Sequence, residues 1–314
     1  MPQPVNGDVH VNGPLTSISV AYVQSASAFV AEQVFPVVSV QKQSDLYFVY
    51  TKEDFLRDEA RTRAPASESA GGGYNLSTQQ YLAVVEAFHK DVDDQVRANA
   101  DAPLNMDRDA TQFVTQKLLI RRESRWMSSY FTTGVWGTDI TPGTLWSAAN
   151  STPIKDVQTG HMAVQSVTGF KPNTLLVGPK VHAALLTNAD IVDRIKYTSS
   201  DSVQADILAR LFGVDRYIVS NAVRTTGPEG GTQTTDFIAG KHALLCYSAP
   251  SPSLMKPSAG YTFAWSGFVG ATDGMRMKSF RMEQLSADRI EGEMAYDMRV
   301  VASSLGYFFN SVVA

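Results

Sequence analysis

Residues 104–131, LNMDRDATQFVTQKLLIRRESRWMSSYF, carry the strongest helical pattern of the chain. Neither Pro nor Gly interrupts the segment, and Asn105 or Asp107 can cap its first turn. Apolar residues recur at helical spacing, namely at Ala110, Phe113, Val114, Leu118, Trp126 and Tyr130. A helix of this length spans about 35 to 40 Å, which is longer than most helices of compact domains. The segment therefore predicts a long helix that acts as a structural strut.

The middle of this predicted helix is basic. Arg121 and Arg125 lie one turn apart, with Arg122 beside them. Such a cluster can bind phosphate or an acidic partner surface. It can equally be a solvated face that Glu123 partly neutralises, and the sequence leaves both interpretations open.

Upstream of the helix, the sequence predicts an arm followed by a hairpin. The composition of residues 1–43 is typical of an extended arm, in which only residues 25–34 could form a short helix. LYFVY at 46–50 and QQYLAVVEAF at 79–88 read as two strands. The segment between them is crowded with charge, contains three consecutive glycines at 71–73, and cannot bury enough apolar surface to be a core element.

Downstream, residues 151–265 alternate short strands and helices. Ser199 or Ser200 is the expected cap of one of these helices, which Gly213 ends. From about residue 275 the pattern becomes β, with apolar side chains at even positions and charged ones at odd positions between 290 and 300. That alternation predicts one long half-exposed strand, paired with MRMKSFRMEQ across a turn at LSAD.

Composition limits the possible functions. With 314 residues and 34.2 kDa, the chain can form two packed domains or one domain with large extensions. A formal net charge of −4 excludes a protein that coats nucleic acid by charge. The single Cys246 cannot form an intramolecular disulfide, and its apolar neighbours predict a buried, inert thiol. Without a signal peptide or a run of about 20 apolar residues, we expect a soluble product made in the cytoplasm.

The sequence contains no convincing catalytic, cofactor or metal site. The five histidines have no Cys, His or Glu partner at metal-ligand spacing: His10, His89, His161, His182 and His242. Ser253 and Lys256 match the S-x-x-K motif of serine acyl enzymes, but prolines flank them and no K-T-G follows. The triglycine lacks the strand-to-helix context of a phosphate-binding loop, so a flexible loop apex is the better interpretation.

The order of these parts resembles the major capsid protein of tailed bacteriophages, whose fold is shared with encapsulin shells and the herpesvirus capsid floor. The resemblance covers nearly the whole chain. Four stretches carry it most specifically: NTLLVGPKVHAALLTNADIVDRIKY at 173–197, LARLFGVDRYIVSNAV at 208–223, IAGKHALLCYSAPSP at 238–252 and KPSAGYTFAW at 256–265.

The resemblance implies an α+β fold divided along the chain. The implied divisions are an N-terminal arm (1–43), an extended E-loop hairpin (44–90), a peripheral domain (91–150) with the spine helix 104–131, an axial domain (151–268), a long β hairpin of the peripheral domain (269–300) and a strand returning to the axial domain (301–314).

The resemblance also implies a function, which is self-assembly through pentamers and hexamers into an icosahedral virion shell that encloses double-stranded DNA. The implied partners are the chain itself, a separate scaffolding protein, a portal and cement proteins, with the DNA enclosed without sequence-specific binding and no membrane contact. Assembly would occur in the host cytoplasm, without catalysis or a cofactor. The alternative is an encapsulin-type nanocompartment around a protein cargo. A third interpretation is a serine acyl enzyme that uses Ser253 and Lys256.

In this family the E-loop lies over the peripheral domain of an adjacent subunit, which suggests candidate contacts. We expect the E-loop carboxylates to meet basic groups there, with the spine-helix arginines as the leading candidates. The carboxylates are Glu53, Asp54, Asp58, Glu59 and Glu68, and the arginines are Arg121, Arg122 and Arg125.

Overall fold

The computed structural model describes residues 24–100, 104–195, 205–227, 230–252, 256–268 and 274–314. Most of the predicted arm, the expected caps Ser199 and Ser200, His10 and Ser253 lie outside these ranges. The helices are α1 (Ala31–Val34), α2 (Lys52–Leu56), α3 (Asp94–Ala98), α4 (Met106–Tyr130), α5 (Pro153–Thr168), α6 (Pro179–Leu186), α7 (Ala189–Ile195) and α8 (Ala205–Phe212). Short 3-10 turns occupy Ala26–Ala28, Glu283–Leu285 and Ser303–Leu305.

The strands form two five-stranded sheets and two hairpins. They are β1 (Val37–Val40), β2 (Ser44–Tyr50), β3 (Leu76–Leu82), β4 (Val84–Asp93), β5 (Thr138–Ile140), β6 (Thr174–Val177), β7 (Arg216–Val219), β8 (Val223–Thr226), β9 (Thr234–Phe237), β10 (Ala243–Cys246), β11 (Gly260–Trp265), β12 (Met275–Met282), β13 (Ala287–Val300) and β14 (Gly306–Phe309). The mixed helix and strand content agrees with the expected α+β class.

The long helix predicted at 104–131 is α4. Its N-cap is Asn105, whose side chain accepts a hydrogen bond from the backbone N–H of Arg108. Asp107 and Asp109 lie in the first turn, where negative charge favours the helix dipole. Four of the predicted apolar positions are buried: Ala110, Val114, Leu118 and Trp126.

The first sheet packs against α4 and is built around β13. β4 pairs antiparallel with one edge of β13, while β12 and then β11 pair antiparallel with the other edge. β1 extends the sheet as a parallel neighbour of β11. Gly292 of β13 lies where α4 comes closest, because a Cβ there would meet Val114 and Leu118 at 2.7 and 2.8 Å. A larger residue at 292 would therefore force the side chains packed there to shift.

The pairing of β12 with β13 confirms the predicted hairpin, but the expectation of a half-exposed strand is wrong. The odd-numbered residues Glu293 and Asp297 are buried, as are the even-numbered apolar residues beside them. Glu293 forms ion pairs with Arg276 and with Lys278 of the paired strand. Hydrogen bonds from these two cations outweigh the effect of burial and hold the pKa of Glu293 below its ordinary value. The charged side chains of β13 can therefore be buried, because each of them has a partner of opposite charge.

The predicted hairpin around the charged segment consists of β2 and β3, whose register runs from Ser44 opposite Leu82 to Tyr50 opposite Leu76. The strand predicted as one unit at 79–88 is broken at Ala83. Residues 84–90, which the resemblance places in the E-loop hairpin, begin β4 and pair with β13 of the first sheet. We refer to β2, β3 and the connecting residues 51–75 as the hairpin.

Part of the predicted arm is packed rather than extended. Phe29, Val30, Ala31, Val34 and Phe35 are all buried. Phe35 contacts the rings of Trp126, Tyr130 and Trp136 at centroid distances of 5.1 to 6.2 Å. Val30, Ala31, Val34 and Phe35 therefore belong to the main hydrophobic core.

The second sheet has the order β5-β14-β10-β6-β7 and carries α5 to α8. Its central strand β10 pairs antiparallel with both β14 and β6. β14 comes from the carboxyl-terminal segment and pairs with β10 and β5. Cys246 of β10 is fully buried, and burial raises the pKa of its thiol to about 12, so it is unreactive as expected.

Trypsin should cut the native protein first at Arg57, Arg61 and Arg63. These three residues are exposed and lie in hairpin backbone without helix or strand pairing, so little structure must open before cleavage. Lys155 and Lys180 are exposed too but lie within helices, and cleavage there should be at least about 10-fold slower. Mass spectrometry of timed digests measures the order. First cleavage after Lys155 or Lys180, with the hairpin intact, would contradict it.

Candidate functional site

Glu123 lies at a buried junction between α4, the arm and the second sheet. Its Oε2 accepts hydrogen bonds from the backbone N–H groups of Val30 and Ala31, both at 3.0 Å. Its Oε1 accepts from the Ser220 hydroxyl at 3.2 Å. Val30 is the N-cap of α1 and offers no side-chain cap of its own, so Glu123 caps α1 from another part of the chain.

The environment of Glu123 changes its titration. Burial raises the pKa of the carboxyl, and the hydrogen bonds from Ala31, Val30 and Ser220 and the nearby Arg122 charge oppose that rise only in part. One of the two interpretations of the arginine cluster placed Glu123 on a solvated face. For Glu123 that interpretation is wrong, because its side chain is fully buried.

The arginines of α4 bind carboxylates of their own chain. Arg121 and Arg125 both contact Oε1 of Glu86, at 3.1 and 3.5 Å, and Oε2 of Glu86 accepts from the Tyr296 hydroxyl. Arg122 forms an ion pair with Glu32 and its side chain is 11% exposed. The side chain of Arg121 is 64% exposed. Of the three arginines, Arg121 is therefore the one most available to another molecule.

The candidate carboxylates of the hairpin are also engaged locally. Asp54 accepts from the backbone N–H of Asn75 at 2.8 Å and from its side-chain amide at 3.0 Å, which closes the end of the β2–β3 ladder. Arg57 forms ion pairs with Asp54 and Glu59, and Lys52 forms one with Glu53. Within the described residues, Asp58 and Glu68 have no ion-pair partner. Exposed pairs of this kind contribute only about 0 to 1 kcal/mol each.

One face of the hairpin carries large apolar side chains that are exposed to solvent. Leu46 and Phe48 of β2 and Leu76 and Leu82 of β3 are between 47% and 58% exposed. At the far end, Tyr50 packs against Phe55 and Tyr74, and these two rings also pack against each other, with all centroids 5.7 to 5.8 Å apart. Contiguous apolar surface of this kind marks an interaction site. The pattern of LYFVY does not indicate this surface, because the segment is apolar on both faces.

The base of the hairpin is held firmly on the first sheet. The ring of Phe263 stacks with Tyr81 at 4.7 Å and with Tyr47 at 5.3 Å. Asp297, buried in β13, accepts from the backbone N–H of Leu82 at 2.9 Å and pairs with Arg299 at 2.7 Å. The hairpin therefore projects in a direction that the sheet sets.

Comparison with known proteins identifies this architecture. Residues 137–253 match the family model described as phage major capsid protein E. The major capsid protein of Burkholderia phage BcepMu is 22% identical over 82% of this chain and 84% of that protein. The sequence of the chain is thus similar to those of phage major capsid proteins.

Solved structures show the same fold. A phage-related protein from Bordetella bronchiseptica superposes with a TM-score of 0.70 and 20% identity over 92% of this chain and 94% of that one. The capsid protein of cyanophage P-SCSP1u gives 0.59 and 12% over 98% of each chain. The SrpI encapsulin of Synechococcus elongatus gives 0.55 and 11% over 96% of this chain and 95% of that one, so the fold also occurs in encapsulins.

Three histidines contact other groups of the protein. His161 donates to the backbone carbonyl of Phe212, His182 contacts the Tyr217 hydroxyl, and His242 accepts from the backbone N–H of Ser311. Burial lowers the pKa of all three. The described part of the chain contains no group of three or more His, Cys, Asp and Glu residues able to hold a metal. In the same part, no helix is both long and apolar enough to cross a membrane.

Replacing Glu123 by Ala should lower the free energy of unfolding by about 2 to 5 kcal/mol, because two buried N–H groups and a hydroxyl lose their partner. Glu123→Gln keeps one carbonyl oxygen for the two N–H groups and should cost only about 1 kcal/mol. Denaturant unfolding of the purified protein at pH 7 measures both. Equal losses for the two variants would contradict the capping role.

The stability gap between the parent and Glu123→Gln should depend on pH. The folded-state pKa of Glu123 lies above its ordinary value of 4.5, so the folded protein binds more protons than the unfolded chain between the two values. The stabilisation that this titration provides is therefore fully present below pH 4.5 and is lost as pH rises through the folded-state pKa. The free energy of unfolding of the parent, relative to that of Glu123→Gln, should therefore be larger at pH 5 than at pH 7. A gap that stays constant would refute this assignment.

Proposed function

We propose that this capsid protein assembles through pentamers and hexamers into an icosahedral shell that encloses double-stranded DNA. The observation that carries the proposal is the hairpin, which is rigid at its base and leaves its large apolar side chains exposed. Exposed apolar side chains stabilise a subunit only when another molecule covers them. In a shell, a neighbouring subunit is always present to do so. The family similarity supports the same function.

The charge of the protein fits a container for DNA. A formal net charge of −4 avoids the counterion release by which basic proteins grip phosphates, so the enclosed DNA can be packed and ejected. We further propose a structural role without catalysis, assembly in the host cytoplasm, and participation of a separate scaffolding protein, a portal and cement proteins.

The second candidate function is a nanocompartment around a protein cargo. The similarity to the SrpI encapsulin supports it, because that shell shares the fold over almost the whole chain. The curated relative and the family model favour the virion instead.

Ionic contacts between subunits form part of the proposal. The hairpin carboxylates Glu53, Asp54, Asp58, Glu59 and Glu68 would meet basic groups of a neighbour, among which Arg121, Arg122 and Arg125 remain the candidates. The exposed side chain of Arg121 and the carboxylate of Asp58, which has no ion-pair partner among the described residues, support such a contact most directly.

The expressed protein should form closed particles of icosahedral symmetry, and virions of its phage should contain it around nuclease-resistant DNA. Electron microscopy with nucleic-acid and protein analysis of purified particles makes the measurement. Particles that enclose one specific protein and no DNA, from an infected host, would overturn the virion proposal in favour of the nanocompartment.

Arg121→Glu should reduce shell assembly at low salt while leaving the subunit folded, because an exposed pair contributes about 0 to 1 kcal/mol within one chain. Adding Asp58→Arg should restore part of the assembly. Lys155→Glu, the same charge change at an exposed position of α5, is the matched control and should assemble normally. Light scattering follows assembly and circular dichroism the fold. If Arg121→Glu assembles like the parent at low salt, the role of Arg121 is limited to its ion pair with Glu86 in the same chain.

A further inference from the structure

A polar pocket of about 250 Å³ lies where the last turns of α4 face the paired strands β8 and β9 and the residues before β10. Pockets for drug-sized ligands measure about 300 to 1,000 Å³, so this one suits an ion or another compact group. We call it the junction pocket. The residues that line it are Ser124, Met127, Ser128, Phe131, Thr132, Arg224, Ile238, Gly240 and His242.

The formal charge of the residues that line the junction pocket is positive. Arg224 of β8 is exposed and forms no ion pair or hydrogen bond with another described residue. Asp236 lies opposite Arg224 in the β8–β9 pairing, but it forms an ion pair with Lys180 at 3.4 Å and does not line the pocket. The guanidinium of Arg224 is therefore available, and its planar set of N–H groups suits two oxygens of one anion.

The ring of His242, just before β10, supplies a second donor. Its Nδ1 accepts the backbone N–H of Ser311 at 3.0 Å. Because burial lowers the pKa of His242, the ring is neutral near pH 7 and carries its proton on Nε2. Nε2 lies toward Gly240 of the pocket wall, since a Cβ at that glycine would meet it at 3.3 Å. His242 therefore offers one N–H on this side of the pocket.

The α4 wall of the pocket contributes a hydroxyl that nothing in the described chain satisfies. The Oγ of Ser124 is buried and has no hydrogen-bond partner among the described residues. Such a group destabilises a protein, and an oxygen of a ligand would satisfy it. Glu123 precedes Ser124, but its carboxylate binds the arm and Ser220 and does not line the pocket. No carboxylate of α4 therefore faces a ligand here.

The carboxyl-terminal end of α4 opposes an anion. This end of a helix carries about half an elementary negative charge, which is confined to the last turn, close to Thr132. The full charge of Arg224 exceeds that amount, and Ser124 lies outside the last turn. The pocket as a whole therefore still favours negative charge.

We propose that the junction pocket binds a phosphate-type oxyanion as a free ion, held by the guanidinium of Arg224, the Nε2–H of His242 and the Ser124 hydroxyl. These donors come from β8, from the residue before β10 and from α4, so they surround a ligand on different sides. A tetrahedral ion directs oxygens to every side, whereas a carboxylate has its two oxygens in one plane. The bound ion would link α4 to β8 and β10 and stabilise the folded subunit, whether or not the protein forms a shell.

Isothermal titration calorimetry of the purified full-length protein with inorganic phosphate at pH 7 tests the proposal. We expect the parent to bind one ion per subunit and Arg224→Gln to bind at least about 10-fold more weakly. Arg210→Gln is the matched control, because Arg210 is also exposed and without an ion pair to a described residue but lies on α8, outside the pocket. It should bind phosphate like the parent. No binding by the parent, or equal losses in the two variants, would overturn the proposal.

A second pair of variants tests the position of the ion. Ser128→Asp places a negative charge in the pocket, and Ser129→Asp places the same charge on the next residue, which does not line it. Both serines are exposed on α4, so both variants should fold. Phosphate binding should be lost in Ser128→Asp and kept in Ser129→Asp, and equal affinities would place the ion elsewhere. Acetate that competes as strongly as phosphate, or phosphate that binds only as part of a DNA duplex, would refute the proposed ligand.

Discussion

The buried carboxylate of Glu123 is the contact on which the arrangement of the subunit depends. A charge in the core is costly unless donors surround it, and here two N–H groups of the arm and the Ser220 hydroxyl supply them. All three donors lie outside α4. One side chain therefore fixes the start of α1, the position of the long helix and the edge of the second sheet. Apolar packing alone would allow these three elements to slide, because dispersion contacts have little direction.

The same principle holds the hairpin in place. Asp297 is buried in β13 and accepts the backbone N–H of Leu82, just before the break at Ala83. Together with the stack of Tyr47, Phe263 and Tyr81, it sets the direction in which β2 and β3 leave the sheet. A loosely attached hairpin would lose conformational entropy on docking, and a fixed one loses much less. Rigidity at the base therefore prepares the apolar face for a partner.

The elements that sequence predicted well are those whose signal is local. The cap, the uninterrupted length and the apolar spacing of α4 all lie within the segment itself, as do the alternation and turn of β12 and β13. Glu123 was misassigned because its neighbours in sequence are arginines, while its partners lie 92 to 97 residues away. The break at Ala83 was missed for a related reason. Both sides of it are apolar strand, and only the pairing of Val84–Asp93 with β13 separates them. The exposure of one hairpin face could not be predicted from the residue types, since burial depends on which elements pack against that face.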